Sequence, residues 1–154
     1  MKKYSANDLK PLNVDEHIIK AQNMYFGSGG ATAERICANI MEGALFLGSE
    51  EILTKVVGEW HCICGTPDWF FLADIPYKDP TLLIKEICGF PEAGVNHFRF
   101  EVMVRVFSKR AFSYANGEVE NISGVPLAEE ELNKIIGLIG NWGRIIAFQF
   151  SKNV

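Results

Sequence analysis

The sequence has no Gly-x-x-x-x-Gly-Lys-Ser loop and no convincing Ser-His-Asp or Cys-His arrangement. Its histidines are three: His17, His61 and His97. P-loop phosphate binding and triad-type nucleophilic catalysis are therefore not expected, and the chain is expected not to be an enzyme. It also lacks any apolar stretch of the roughly 18 continuous residues that crossing a bilayer requires. Lys2 and Lys3 are not followed by an apolar run of signal-peptide length. A cytoplasmic protein with no membrane partner is the expectation. A basic excess is missing too. The formal charge is −4, which argues against direct nucleic-acid binding and suits a basic partner.

What is present is core-forming material. Of the 154 residues, 48% are hydrophobic, enough for a single domain spanning 1–154. The first dozen and the last four residues are expected to be flexible. Four cysteines stand at Cys37, Cys62, Cys64 and Cys88. In a chain with its own core and no export signal, they read as reduced and mostly buried. The cluster His61-Cys62-x-Cys64 suggests zinc. On a strand, however, Cys62 and Cys64 share one face while His61 points to the other. Cys-x-Cys is also shorter than the usual ligand spacing. No metal and no cofactor are expected.

The order of elements follows from periodicity and caps. Asn13, with Glu16 three residues on, opens a short helix through His17, Ile18, Ile19 and Ala21. Gly27–Gly30 reads as a turn. Ile36, Ile40, Met41, Ala44 and Leu47 recur at helical spacing between Thr32 and Gly48. Glu51–Val57 and Glu59–Cys64 read as a strand pair, and Thr66–Lys78 as an aromatic, Pro-punctuated loop. Asp79-Pro80 opens a helix through Ile87. Asn96–Phe107 alternates with a period of two, which predicts a long strand. Phe98, Phe100, Val102, Val104 and Val106 fall on one face, and His97, Arg99, Glu101, Met103 and Arg105 on the other. Asn116-Gly117 marks a hairpin between 111–115 and 118–122. A helix over 127–139 and a closing strand over 144–150 complete the chain. The fold class expected is α+β, a two-layer sandwich with helices on one face of a mixed, mostly antiparallel sheet.

Two segments resemble a known family. Gln22-Asn23-Met24-Tyr25-Phe26-Gly27 is similar to the Pro-Gly-Met-Tyr-Ile-Gly segment of gyrase-like proteins. Ala38-Asn39-Ile40-Met41-Glu42-Gly43-Ala44-Leu45 is similar to their nucleotide helix. Together with Gly89-Phe90-Pro91-Glu92-Ala93-Gly94-Val95-Asn96, these resemble a degenerate form of the ATP-binding domain of gyrase B subunits, Hsp90, histidine kinases and MutL, over residues 13–125. The resemblance implies that Asn39 stands where the family coordinates magnesium and Asp68 near where it holds adenine. Arg35 occupies the place of the water-activating Glu. The glycines that shape the adenine turn and the phosphate loop are absent, and Glu92 would repel a triphosphate. ATP hydrolysis needs cradled phosphates, a metal and an aimed base, and most of that set is missing.

The remaining surface features suggest recognition. His97, Arg99, Glu101 and Arg105 would line one face of the long strand. Trp69-Phe70-Phe71 offers an aromatic anchor, with Trp69 and Phe70 assigned to it. By class, a small acidic domain without catalytic constellations resembles a bacterial toxin-immunity protein. Its partner would be a toxin domain, such as a basic nuclease, blocked by steric occlusion. The alternative is a weak ATP-binding domain using Asn39 and Asp68. A homodimer through the C-terminal strand edge is a third arrangement.

Overall fold

The computed structural model describes residues 3–72 and 79–152. Met1, Lys2, Asn153 and Val154, where flexible ends were expected, lie outside the described residues, as does the 73–78 part of the aromatic loop.

Asn13 Oδ1 accepts a hydrogen bond from the Glu16 N–H at 3.1 Å and opens α1, Val14–Lys20. The bond satisfies an N–H that has no partner inside the helix. α2, Gln22–Phe26, follows directly and stops at Gly27. Thr32 caps α3, Ala33–Leu47, by accepting from Arg35 N. Its buried residues Ala33, Ile36, Cys37, Ile40 and Ala44 form one stripe, and Gly48 ends it in the left-handed conformation at φ 106°. Later come α4 (Leu82–Lys85), α5 (Glu101–Val106) and α6 (Glu129–Ile139).

The strands are β1 (Glu51–Val57), β2 (Trp60–Thr66), β3 (Ser108–Ala115), β4 (Glu118–Ser123) and β5 (Arg144–Phe150). They form a five-stranded sheet in the order β1-β2-β5-β3-β4, and every pairing is antiparallel. Asn116 and Gly117 both take positive φ, 53° and 77°, which closes the β3–β4 hairpin as its sequence predicts. β5 pairs on both sides, with β2 and with β3. β5 is therefore an interior strand and offers no edge for the homodimer arrangement suggested through it. The edges are β1 and β4, and the near-continuous apolar run Ile145–Phe148 suits the buried centre.

The fold is α+β. Helices α1–α5 pack on one face of the sheet, where Ile18, Ile36, Ile40, Leu83, Val102 and Phe107 meet Ile63, Ile146 and Phe148. On the reverse face, Ile135 and Ile139 of α6 pack on Trp60, Cys62, Cys64, Ile145 and Ala147. The alternation of β2 and β5 divides the two clusters.

Asn96–Phe107 is not a strand. Its first part leaves a turn at Asn96, φ 63°, and makes an isolated bridge from Phe98 to Gly89, and its second part is α5. Five of the six residues of α5 are buried, Glu101 and Met103 among them. Burial on nearly all sides outweighs the modest helix penalty of three valines. The apparent period of two joined a turn and a bridge to a helix without a polar face.

Candidate functional site

The expected recognition residues do not form one face. Trp69 and Phe70 are interior, and Phe71, 63% exposed, is the one of these three consecutive aromatics that meets solvent. Arg99 and Glu101 are buried together, with Nη2 and Oε1 2.6 Å apart. Trp69 Nε1 donates to that same carboxylate oxygen at 3.0 Å. Arg105 donates twice to Asp15, at 2.6 and 2.7 Å, and so ties α5 to α1. His97 alone of the six is exposed. The flat charged face expected of a strand dissolves because the segment is not a strand.

The residues of the ATP-domain resemblance are also engaged. Asp68 holds Arg144 through both oxygens, at 2.6 and 2.7 Å, and accepts from Phe70 N at 3.0 Å. The Arg144 guanidinium lies 4.0 Å from the Phe70 ring centroid. Arg35 Nη1 reaches the carbonyls of Phe26, Ser28 and Gly30 at 3.2, 2.9 and 2.8 Å. It closes the glycine turn onto α3. Asn39 Nδ2 donates to Arg35 O at 2.8 Å.

A groove nevertheless lies beside Asn39. One wall is a stripe of α3, Asn39, Glu42, Gly43 and Phe46, set by helical spacing. The other wall is the 90–98 segment. It is folded on itself by Phe90 N donating to His97 O at 2.8 Å and Arg99 N donating to Cys88 O at 2.9 Å. Phe90, His97 and Phe98 face the helix across a cavity of about 200 Å³. Phe46 meets Phe90 edge-on, with centroids 6.4 Å apart, and Phe98 packs against Tyr25 at 5.7 Å. Gly43 makes room for this wall, because a Cβ there would stand 3.3 Å from Phe90 Cε1. A narrow recess at the bottom touches the Arg99–Glu101 pair. In the sequence, Phe90 and Glu42 fall within the two motifs, but neither is expected to have this role. The 39/42/43/46 spacing on a helix was the available signal, and the opposite wall had none.

A second cavity, about 260 Å³, lies between α3 and the β1–β2 pair and is lined by Glu34, Cys37, Met41, Thr54, Val56 and His61. Burial pushes the Cys37 thiol up to about 12, with the neighbouring Cys62 and Glu34 adding to the shift. Burial likewise raises Cys62 to about 11 and Cys64 to about 12. Such thiols are protonated at neutral pH and poor nucleophiles. All four cysteines are buried and free. As expected of a strand, Cys62 packs toward α6 while His61 stacks on Phe148 on the other face. Among the described residues no cluster of His, Cys, Asp and Glu could hold a metal ion, and no helix is long and apolar enough to cross a membrane.

Compared with known proteins, the chain matches no protein family, and no curated protein or solved structure matches it.

Proposed function

We propose that this chain acts by binding another protein, as a cytosolic immunity protein that blocks a cognate bacterial toxin. The observation that supports this reading is the groove and its rim. Large apolar side chains stand exposed there, Phe46 at 57% and Val95 at 88%, around the polar groups of Asn39, Glu42 and His97. Aromatic and aliphatic groups around a few polar ones are the usual make-up of partner surfaces. The side chains that the ATP reading relied on are meanwhile engaged in internal bonds, Asp68 with Arg144 and Asn39 with Arg35 O. A net charge of −4 favours encounter with a basic partner, as a nuclease toxin would be. Inhibition would be steric.

The test is co-expression with the product of the adjacent gene. The expected result is a stoichiometric complex on gel filtration together with restored growth. A toxin that neither binds the purified chain nor loses activity in its presence would end this reading.

A second reading has one observation in its favour: Asn39 and the 90–98 loop line the same cavity, the arrangement that the resemblance to gyrase-type domains implies for a nucleotide. The cavity, about 200 Å³, is smaller than the ~300 Å³ at which small-molecule sites begin. Millimolar Mg·ATP would raise the melting temperature if nucleotide binds. An unchanged melting temperature would retire this alternative.

A further inference from the structure

We propose that the groove between α3 and the 90–98 segment receives an arginine side chain from a basic stretch of the partner. The proposal rests on the protein-binding reading and gives that partner a chemistry. Three features lead to it. First, the cavity is lined by aromatic rings, Phe46, Phe90 and Phe98, and of these Phe46 is 57% exposed; an exposed ring attracts a flat cation through its electron-rich face. Second, its one formally charged lining side chain is acidic, Glu42, one helical turn before Phe46 on the same face of α3. No lysine or arginine is among the lining residues of this cavity. Third, the groove offers acceptors at Glu42 and Asn39, beside His97, whose ring can accept or donate. Asn39 directs one N–H to Arg35 O, which leaves its side-chain carbonyl and a second N–H for a ligand, and Glu42 is an acceptor when ionised. A guanidinium supplies only donors, in a planar fork that can lie on a ring while it bonds a carboxylate. A phosphate or a carboxylate would meet the like charge of the Glu42 carboxylate.

The recess beneath the groove is already occupied in the same way. The Arg99 guanidinium lies 5.3 Å from the Phe90 ring centroid and is paired with Glu101. An arginine entering from outside would meet the same chemistry, ring plus carboxylate, supplied by Phe46 and Glu42. Both of these side chains are exposed, so substituting them leaves the core intact.

The test uses the intact chain, labelled with nitrogen-15, and the peptide acetyl-Gly-Arg-Gly-Arg-Gly-amide. The expected result is a set of shifts centred on the amides of Asn39, Glu42, Gly43, Phe46 and His97. The affinity should fall about threefold to tenfold in Glu42→Gln and in Phe46→Ala. It should also weaken with added salt. Equal shifts from the matching glutamate peptide, larger shifts from Mg·ATP, or an affinity unchanged in Glu42→Gln would each overturn the assignment. With the toxin in hand, the two levels separate. A toxin that binds both variants as tightly as the parent removes the groove assignment and leaves protein binding standing. A chain that binds the arginine peptide through these residues but not the toxin keeps the groove's preference and loses the immunity role.

Discussion

Arg99 and Glu101 form a sealed ion pair at the root of the groove, 2.6 Å apart and 4% and 2% exposed. Trp69 Nε1 joins it by donating to Glu101 Oε1, so the loop after β2, the approach to α5 and α5 itself meet at one carboxylate. Glu101→Gln keeps the shape but leaves Arg99 buried without its counter-charge. We predict a loss of about 3 kcal/mol, measured by urea unfolding. Reversal at Arg99 should be worse, because two carboxylates would then share one dry site. Stability equal to the parent in Glu101→Gln would show that the pair is not sealed.

Arg35 secures the Gly27–Gly30 turn through three carbonyls. Arg35→Ala should cost about 1–3 kcal/mol, the range for hydrogen bonds to a charged group. The local readout is hydrogen exchange, which should rise at Gly30 and Ala31 while β5 stays protected. Uniform exchange along the chain would contradict a local staple.

Asp68 and Arg144 couple the end of β2 to the start of β5, and Arg144 Nη1 also donates to Ser113 Oγ at 2.6 Å on β3. Asp68→Asn should lower stability by about 2 kcal/mol through the weakened charged bonds. It should leave binding of the arginine peptide unchanged, since Asp68 does not line the groove. A loss of peptide affinity without a loss of stability would reverse the roles assigned to Asp68 and Glu42.

The buried thiols make a prediction about alkaline pH. Burial raises Cys64 from an ordinary value near 9 to about 12 in the folded chain. The unfolded chain therefore loses this proton first as pH rises. Its stabilising contribution is complete below about pH 9 and is lost toward pH 12. Within that window each such thiol should steepen the fall in stability by up to about 1.4 kcal/mol per pH unit. Urea unfolding between roughly pH 9.5 and 10.5 should show a shallower fall in Cys64→Ala than in the parent. Identical slopes would mean that the thiol is not buried as described.

Legibility in the sequence followed the locality of the signal. Caps and turns were readable because they are settled within four residues: Asn13 and Thr32 open their helices, Gly48 ends one, and Asn116-Gly117 turns the hairpin. α5 was misread because its conformation is settled by neighbours. The buried surroundings of Val102, Met103 and Val104 are supplied by elements distant in sequence. The position of β5 between β2 and β3 is likewise a matter of pairing across the chain. The groove had one legible wall, the α3 stripe, while the other depends on how the 90–98 segment folds on itself. The charged residues that looked free, Arg99, Glu101 and Arg105, are bonded internally for the same non-local reason.

The most direct measurement is calorimetric titration of the purified chain with the product of the adjacent gene, proposed to be the toxin, run in parallel with the Glu42→Gln variant. The account predicts a tight one-to-one complex with the parent, a weaker one with the variant, and loss of toxin activity in proportion to complex formed. No heat of binding with either chain, and a toxin that remains fully active, would contradict it.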